Sequence, residues 1–289
     1  MKVRFLGTAA GGGAPQWNCG CATCVRARRD GVSRTQDCLA VSGDGVSWYL
    51  VNASPDLRTQ LLATPELAPA AGSRVSPVRG VVFTSAELDH TLGLLTLREA
   101  EVLDVYATAT VHNALRSGFS IETTVGSYTR LRERHLAPGT PVELEGGLRV
   151  TLSVLSSKRP RYAGTTPLGE EWVGACRFDS GPGTRVFVYA PGLAAWTGEF
   201  GRAIESADVV ALDGTFLTEE EMGPGRPASG MGHLAITDVL PFLAEHPGPR
   251  YLFTHLNNTN PLVLPDAPEM SALAEVNASV AFDGQLLEF

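Results

Sequence analysis

Apolar residues arrive along this chain in short bursts, most of them closed by glycine, proline or a polar cluster. Bursts of that length, rich in β-branched and aromatic residues, read as buried strands. The pattern predicts strands over Lys2–Leu6, Ser47–Val51, Gly80–Phe83, Val102–Ala107, Leu148–Leu155, Arg185–Tyr189, Val209–Leu212, Tyr251–Thr254 and Val280–Phe282. Helices are predicted between many of them, over Pro55–Ala63, His90–Glu101, Thr110–Arg116, Thr197–Ser206, Ile236–Glu245 and Glu269–Asn277. Apolar spacing from Asp238 to Ala244 suits a helix lying on a sheet. Strands and helices alternate from end to end, which predicts a mixed α/β chain, most simply two sheets with helices outside.

The glycine- and proline-rich stretches Ala68–Pro77, Pro160–Gly169 and Gly223–Gly230 read as loops within one domain spanning 1–289, since no linker divides the chain. Composition changes this picture little: 44% hydrophobic and 19% charged residues are ordinary for a soluble globular protein. The net charge of −8 argues against nucleic-acid and anionic-membrane partners, which call for a basic surface. The basic run Arg26, Arg28, Arg29 reads as a solvated face. Apolar runs stay well short of the roughly 18 residues of a membrane span. Five cysteines, three of them crowded at Cys19, Cys21 and Cys24, do not suit a disulfide framework and predict a cytoplasmic chain with reduced thiols.

The chemistry gathers at strand ends. Asp89-His90 follows the apolar run Val81-Val82-Phe83, and His255 follows Tyr251–Thr254. Together Asp89, His90 and His255 make a two-histidine, one-carboxylate set, the donor type that leaves open positions on a mononuclear iron(II). The segment alone leaves a second reading open, in which Asp89 caps the helix that follows and His90 sits in its first turn. Asp213 ends another apolar strand, and Gly214 lets the backbone approach closely. Asp213 could serve as a further ligand, a general base or an acceptor for turn amides. His233 follows a flexible loop, and structural and catalytic readings of it both stand. Ser54 is predicted to cap the helix that begins at Pro55. His112, His135 and His246 show no partner in sequence and are predicted at the surface.

Cys19-x-Cys21-x-x-Cys24, in a cysteine-rich loop at about 17–26, is a thiolate cluster suited to a tetrahedral structural zinc. A thioredoxin-like redox motif would need a strand–helix context that is missing. The glycine run Gly7–Gly13 lacks the Lys-Ser/Thr of a P-loop and the spacing of a dinucleotide fingerprint, so it reads as a tight turn beneath the cysteines.

Taken together, Gly11–Cys21, Arg34-Thr35-Gln36, Asn52–Arg58, Asp89–Leu95, Tyr189–Leu193, Asp213–Phe216, Met231–Leu234 and Asn257–Pro261 resemble the pyrroloquinoline quinone (PQQ) biosynthesis protein B family of the metallo-β-lactamase superfamily. The resemblance implies an αββα sandwich of two mixed sheets flanked by helices. It implies Asp89, His90 and His255 as ligands of a catalytic Fe2+, a site that Zn2+ can also fill, and structural Zn2+ on Cys19, Cys21 and Cys24. The superfamily motif His-x-His-x-Asp-His falls on Ser85-x-Glu87-x-Asp89-His90, so both histidines of the first metal position are absent. Tyr189-Ala190-Pro191-Gly192 stands where a hydrolase has its bridging aspartate. The implied activity is O2-dependent hydroxylation of the tyrosine ring in a Glu-Tyr-derived precursor, with Asp213 and His233 orienting the phenol or moving protons. Arg34 and Arg58 are the candidate cations for an acidic substrate. A carrier of the cofactor is the alternative class, and a hydrolase of the phosphodiesterase branch is disfavoured by the missing histidines. Other proteins of the same pathway are implied as handover partners, a homodimer is left open, and Asn258 is one candidate for the fourth ligand of the cysteine site.

Overall fold

A computed structural model describes residues 1–164 and 169–289. Residues 165–168 of the loop expected over Pro160–Gly169 therefore lie outside the described residues. The strands are, in chain order, β1 (Lys2–Gly7), β2 (Cys38–Ser42), β3 (Trp48–Val51), β4 (Val78–Val82), β5 (Val102–Ala107), β6 (Arg130–His135) and β7 (Val142–Leu144). They continue with β8 (Leu148–Ser156), β9 (Val173–Asp179), β10 (Phe187–Ala190), β11 (Val209–Asp213), β12 (Arg250–Thr254), β13 (Ala278–Val280) and β14 (Leu286–Glu288). The main helices are α1 (Ala22–Asp30), α2 (Leu57–Leu62), α3 (Leu88–Thr91), α4 (Ala109–Asn113), α5 (Ile121–Gly126), α6 (Gly198–Ile204), α7 (Ile236–Glu245) and α8 (Met270–Ala274).

The chain forms two compact units. The first comprises Met1–Leu6, Cys38–Thr184 and Gly284–Phe289. Its main sheet runs β14-β1-β2-β3-β4-β5-β6. The β14–β1 and β2–β3 pairs are antiparallel, and β3 to β6 are parallel. A sheet buried on both faces reads as unbroken apolar runs, and Gly80-Val81-Val82 with Phe83 is such a run. Its core holds Leu50, Val81, Phe83, Leu94, Val105 and Trp172, all at most 1% exposed. β7, β8 and β9 form an antiparallel meander in the same unit, and the first five residues of β8 alternate in burial with the two-residue strand period.

The second unit comprises Gly7–Asp37 and Arg185–Asp283. Here β10, β11, β12 and β13 are parallel neighbours, with Asp213 opposite Thr254. Parallel strands put their C-terminal ends side by side, so the exits of β11 and β12 open at the same edge.

Helix α7 spans the residues expected of it. The single helix expected over His90–Glu101 does not form; α3 gives way to a 3₁₀ segment, Leu92–Glu99. The physical reason is at Gly93, whose amide bonds the Ala53 carbonyl at 2.8 Å rather than continuing the α-helical ladder. Ser54 is not a helix cap either: Asp56 occupies that position, and the Ser54 hydroxyl instead accepts from Asp56 N at 3.2 Å and donates to Gln60 Oε1 at 2.9 Å. No helix among the described residues is long and apolar enough to cross a membrane.

Candidate metal centre

In the first unit, Phe83, Thr84 and Ser85 lead from β4 into α3, which carries Asp89 and His90. Glu87 stands at the helix cap, so Asp89 is not the cap; it lies inside the turn. The chain enters the helix early because Ser85 Oγ accepts from Glu87 N at 3.3 Å. The His90 ring is buried, and its Nδ1 lies 2.7 Å from Ser85 Oγ. Holding one ring nitrogen in this way orients the other toward a metal. The loop after β3 supports the helix from below: Ala53 N donates to the His90 carbonyl at 2.6 Å. That loop is pinned by Asn52, whose left-handed backbone (φ 63) turns its side-chain oxygen onto Thr84 N and Oγ1, both at 3.0 Å.

In the second unit, β11 ends in Asp213 and β12 in Thr254, with His255 next in a left-handed conformation (φ 57). Non-glycine residues adopt that conformation at a cost, most often at functional sites. Adjacent backbone bonds hold it: Leu256 N to Thr8 O at 2.9 Å, and Asn257 N to Thr215 O at 3.0 Å. The ligand-capable atoms of Asp213, His233 and His255 lie within 4.8 Å of one another. Asp213 is 1% exposed and serves four donors. Leu193 N (2.9 Å) and His233 Nδ1 (2.7 Å) reach Oδ2; Thr215 N (3.0 Å) and Thr215 Oγ1 (2.6 Å) reach Oδ1. With four donors on two oxygens the carboxylate is a hydrogen-bond hub, which of its three sequence roles is the acceptor one. Burial alone would raise its pKa, but His233, His255 and the Thr215 hydroxyl outweigh burial and keep it below the ordinary aspartate value.

The cysteine site also belongs to the second unit. Sulfurs of Cys19, Cys21 and Cys24 lie within 4.8 Å of one another. They do not sit on a plain loop: Cys21 is the N-cap of α1, with its sulfur accepting from Cys24 N, and Cys24 is in the first turn. The Cys21 amide holds the Cys19 thiol below its ordinary value, whereas burial pushes the Cys21 thiol up to about 11. A bound cation would offset that burial, and three sulfur donors suit zinc. Asn258 is buried beside them, its side-chain nitrogen 3.3 Å from Cys24 Sγ and its carbonyl 3.6 Å from the same sulfur.

Further expectations change. Arg28 is exposed but not merely solvated, for its guanidinium donates to the carbonyls of Cys19 and Gln16 and orders the cysteine segment. Arg34 donates through Nε to the Val263 carbonyl and through Nη1 to Thr8 Oγ1 and the Ala281 carbonyl, bonds that tie its own loop to the rest of the unit. His112 is not at the surface: it is buried against Glu122, with Nδ1 2.7 Å from Oε1. His246 is half-buried beside Trp196, while His135 is exposed as expected. Sequence reasoning overlooked Ser85 and Thr215 as partners of the histidines. A hydroxyl two residues after Asp213 in an Asp-Gly turn signals the Thr215–Asp213 bonds, but not the contact with His255.

A family model described as the beta-lactamase superfamily domain matches residues 47–256. Coenzyme PQQ synthesis protein B from Cupriavidus necator is 40% identical, over 98% of each chain. The chain belongs to that family. The protein of the same name from Azoarcus sp. is 38% identical over 99% of each chain. The crystal structure of Zn(2+)-bound PqqB from Methylobacterium extorquens aligns over 100% of both chains with a TM-score of 0.90 and 34% identity. The fold is accordingly the metallo-β-lactamase fold, α/β, with two mixed sheets flanked by helices, as the resemblance implied. The donor sets fit the metals implied: sulfur for a structural zinc, and imidazole with carboxylate for iron(II) or zinc.

Proposed function

We propose that this chain acts in PQQ synthesis as an iron- and O2-dependent hydroxylase of the tyrosine ring in a Glu-Tyr-derived precursor. Asp89, His90 and His255 are the ligands of a single metal in this reading, and Cys19, Cys21 and Cys24 hold a structural zinc. The observation that carries it is Ser85. It stands at the first histidine position of the superfamily motif, and its hydroxyl supports the remaining histidine instead, at 2.7 Å from His90 Nδ1. A two-metal hydrolysis needs a second ion and a bridging hydroxide. With Ser85 and Glu87 in place of histidines, one metal with open positions is the chemistry the donor set favours.

Iron(II), when bound, would supply oxygen activation. Overall, a ring C–H becomes C–OH, one oxygen atom of O2 enters the ring, and the other leaves as water. Two electrons and two protons come from an external reductant such as ascorbate. The chain's own residues handle position and protons. Asp213 fixes the His233 ring through Nδ1, which leaves Nε2 as the atom to take a proton from the phenol or return one. Phe216 packs edge-on to His233, with ring centres 5.8 Å apart, and limits its rotation.

The test is oxygen uptake by full-length protein loaded anaerobically with ferrous iron, given a Glu-Tyr dipeptide and ascorbate, beside the His255→Ala variant. The reading expects a hydroxylated ring in step with oxygen consumed, lost in the variant. An iron-filled protein that binds PQQ tightly and consumes no oxygen would overturn it in favour of a carrier.

A further inference from the structure

We infer that Thr215 is a positioning residue for the metal site, setting the ring form and orientation of His255. The inference rests on the proposed role of His255 as a ligand. Thr215 is 4% exposed, and its hydroxyl lies 2.6 Å from Asp213 Oδ1 and 2.9 Å from His255 Nδ1. A hydroxyl has one proton, and an ionised carboxylate can only accept. The Thr215 proton is therefore directed at Asp213. Its oxygen accepts from His255, so His255 carries its proton on Nδ1 and its lone pair on Nε2, the form in which Nε2 can bind a cation.

The geometry gives this chain a direction. Asp213 collects the Thr215 hydroxyl on one oxygen and His233 Nδ1 on the other, at 2.7 Å. One buried carboxylate thus orders both imidazoles, His233 directly and His255 through Thr215. The rings lie nearly parallel, at 22° with centres 5.9 Å apart, as two rings anchored on one hub would. The β-branched Thr215 side chain is stiff about χ1, which keeps its oxygen between the two partners. Valine at this position would present a methyl group to His255 Nδ1 and release the ring to its other tautomer.

The test measures cobalt(II) affinity of full-length protein whose cysteine site is kept zinc-filled, following the visible bands of the bound ion. Wild type is compared with Thr215→Val, Thr215→Ser and His255→Ala. Loss of such a supporting group weakens metal binding about 10–100-fold. That loss is expected in Thr215→Val, with recovery to within a few-fold in Thr215→Ser. Wild-type affinity in Thr215→Val, beside a failed His255→Ala, would overturn the role of Thr215 while leaving His255 a ligand. Wild-type affinity in His255→Ala would instead overturn the ligand reading, and this inference with it. A measurement on unmutated protein stands apart from any folding defect: nitrogen-15 shifts of labelled histidine, with the histidine site emptied by chelation. The Nδ1–H form of His255 is expected, and the Nε2–H form would overturn the inference.

Discussion

His90 and His255 each leave a strand exit with Nδ1 on a hydroxyl, yet the two anchors differ in strength. The Ser85 hydroxyl that meets His90 has a turn amide as its other partner, Glu87 N at 3.3 Å. The Thr215 hydroxyl that meets His255 is tied to a buried carboxylate at 2.6 Å. Hydrogen bonds to an ionised group are roughly twice as strong as neutral ones. The backbones differ in the opposite sense. His90 sits in a helical turn, whereas His255 holds φ 57. The histidine on the costlier backbone has the stronger side-chain anchor, as a site that must hold its geometry requires.

Removing either ring gives the largest effect. His90→Ala and His255→Ala should each abolish stoichiometric metal at the histidine site while cysteine-bound zinc remains, as metal analysis after dialysis would read. Retention by one variant alone would show that only the other ring is a ligand. The glycines behind the two corners come next. A Cβ on Gly93 would stand 2.3 Å from Ser54 O, and one on Gly214 would stand 2.7 Å from Thr254 O. Overpacking of this kind costs about 1–3 kcal/mol. Gly93→Ala should reach or exceed the upper end and Gly214→Ala the lower, measured by denaturant midpoints. The reverse order would make the second corner the tighter one. Ser85→Ala should weaken metal binding by about tenfold, the low end of the range for a supporting hydrogen bond and less than Thr215→Val. A larger loss at Ser85 than at Thr215 would break the ranking of the anchors.

What the sequence made legible follows the same physics. β5 matches its expected bounds, and β4, β11 and β12 lie close to theirs, because buried parallel strands show themselves as apolar runs. β6, Arg-Leu-Arg-Glu-Arg-His, was missed because an edge strand has little to bury and carries charge instead. β9 was missed because Gly174 and Arg177 break its apolar pattern. Helix α1 was hidden by the cysteines, whose metal-site spacing masked Cys21 as a cap. Site residues with unusual chemistry stood out at strand exits, whereas Ser85 and Thr215 did not. Hydroxyl groups are too common for sequence to mark the few that touch an imidazole, and the partners of Thr215 at 255 and of His112 at 122 lie beyond any local pattern.

The smallest expected effect concerns His112, which sharpens the comparison because its Nδ1 meets a carboxylate with no hydroxyl between, Glu122 Oε1 at 2.7 Å. Burial alone would lower the His112 pKa, but the Glu122 hydrogen bond and charge outweigh it and raise the value above the ordinary 6.5. The folded state therefore binds the proton more tightly than the unfolded chain does. The stabilisation is fully present below the ordinary value and is lost as pH rises through the raised one. Wild type should lose no more than a few degrees of Tm over that rise, on the scale set by chain length. Glu122→Gln removes the charge that raises the value, so its Tm should fall less steeply over the same interval, in thermal scans with both metal sites kept in one state. An equal slope in both proteins would mean that the Glu122 charge does not govern the protonation of His112.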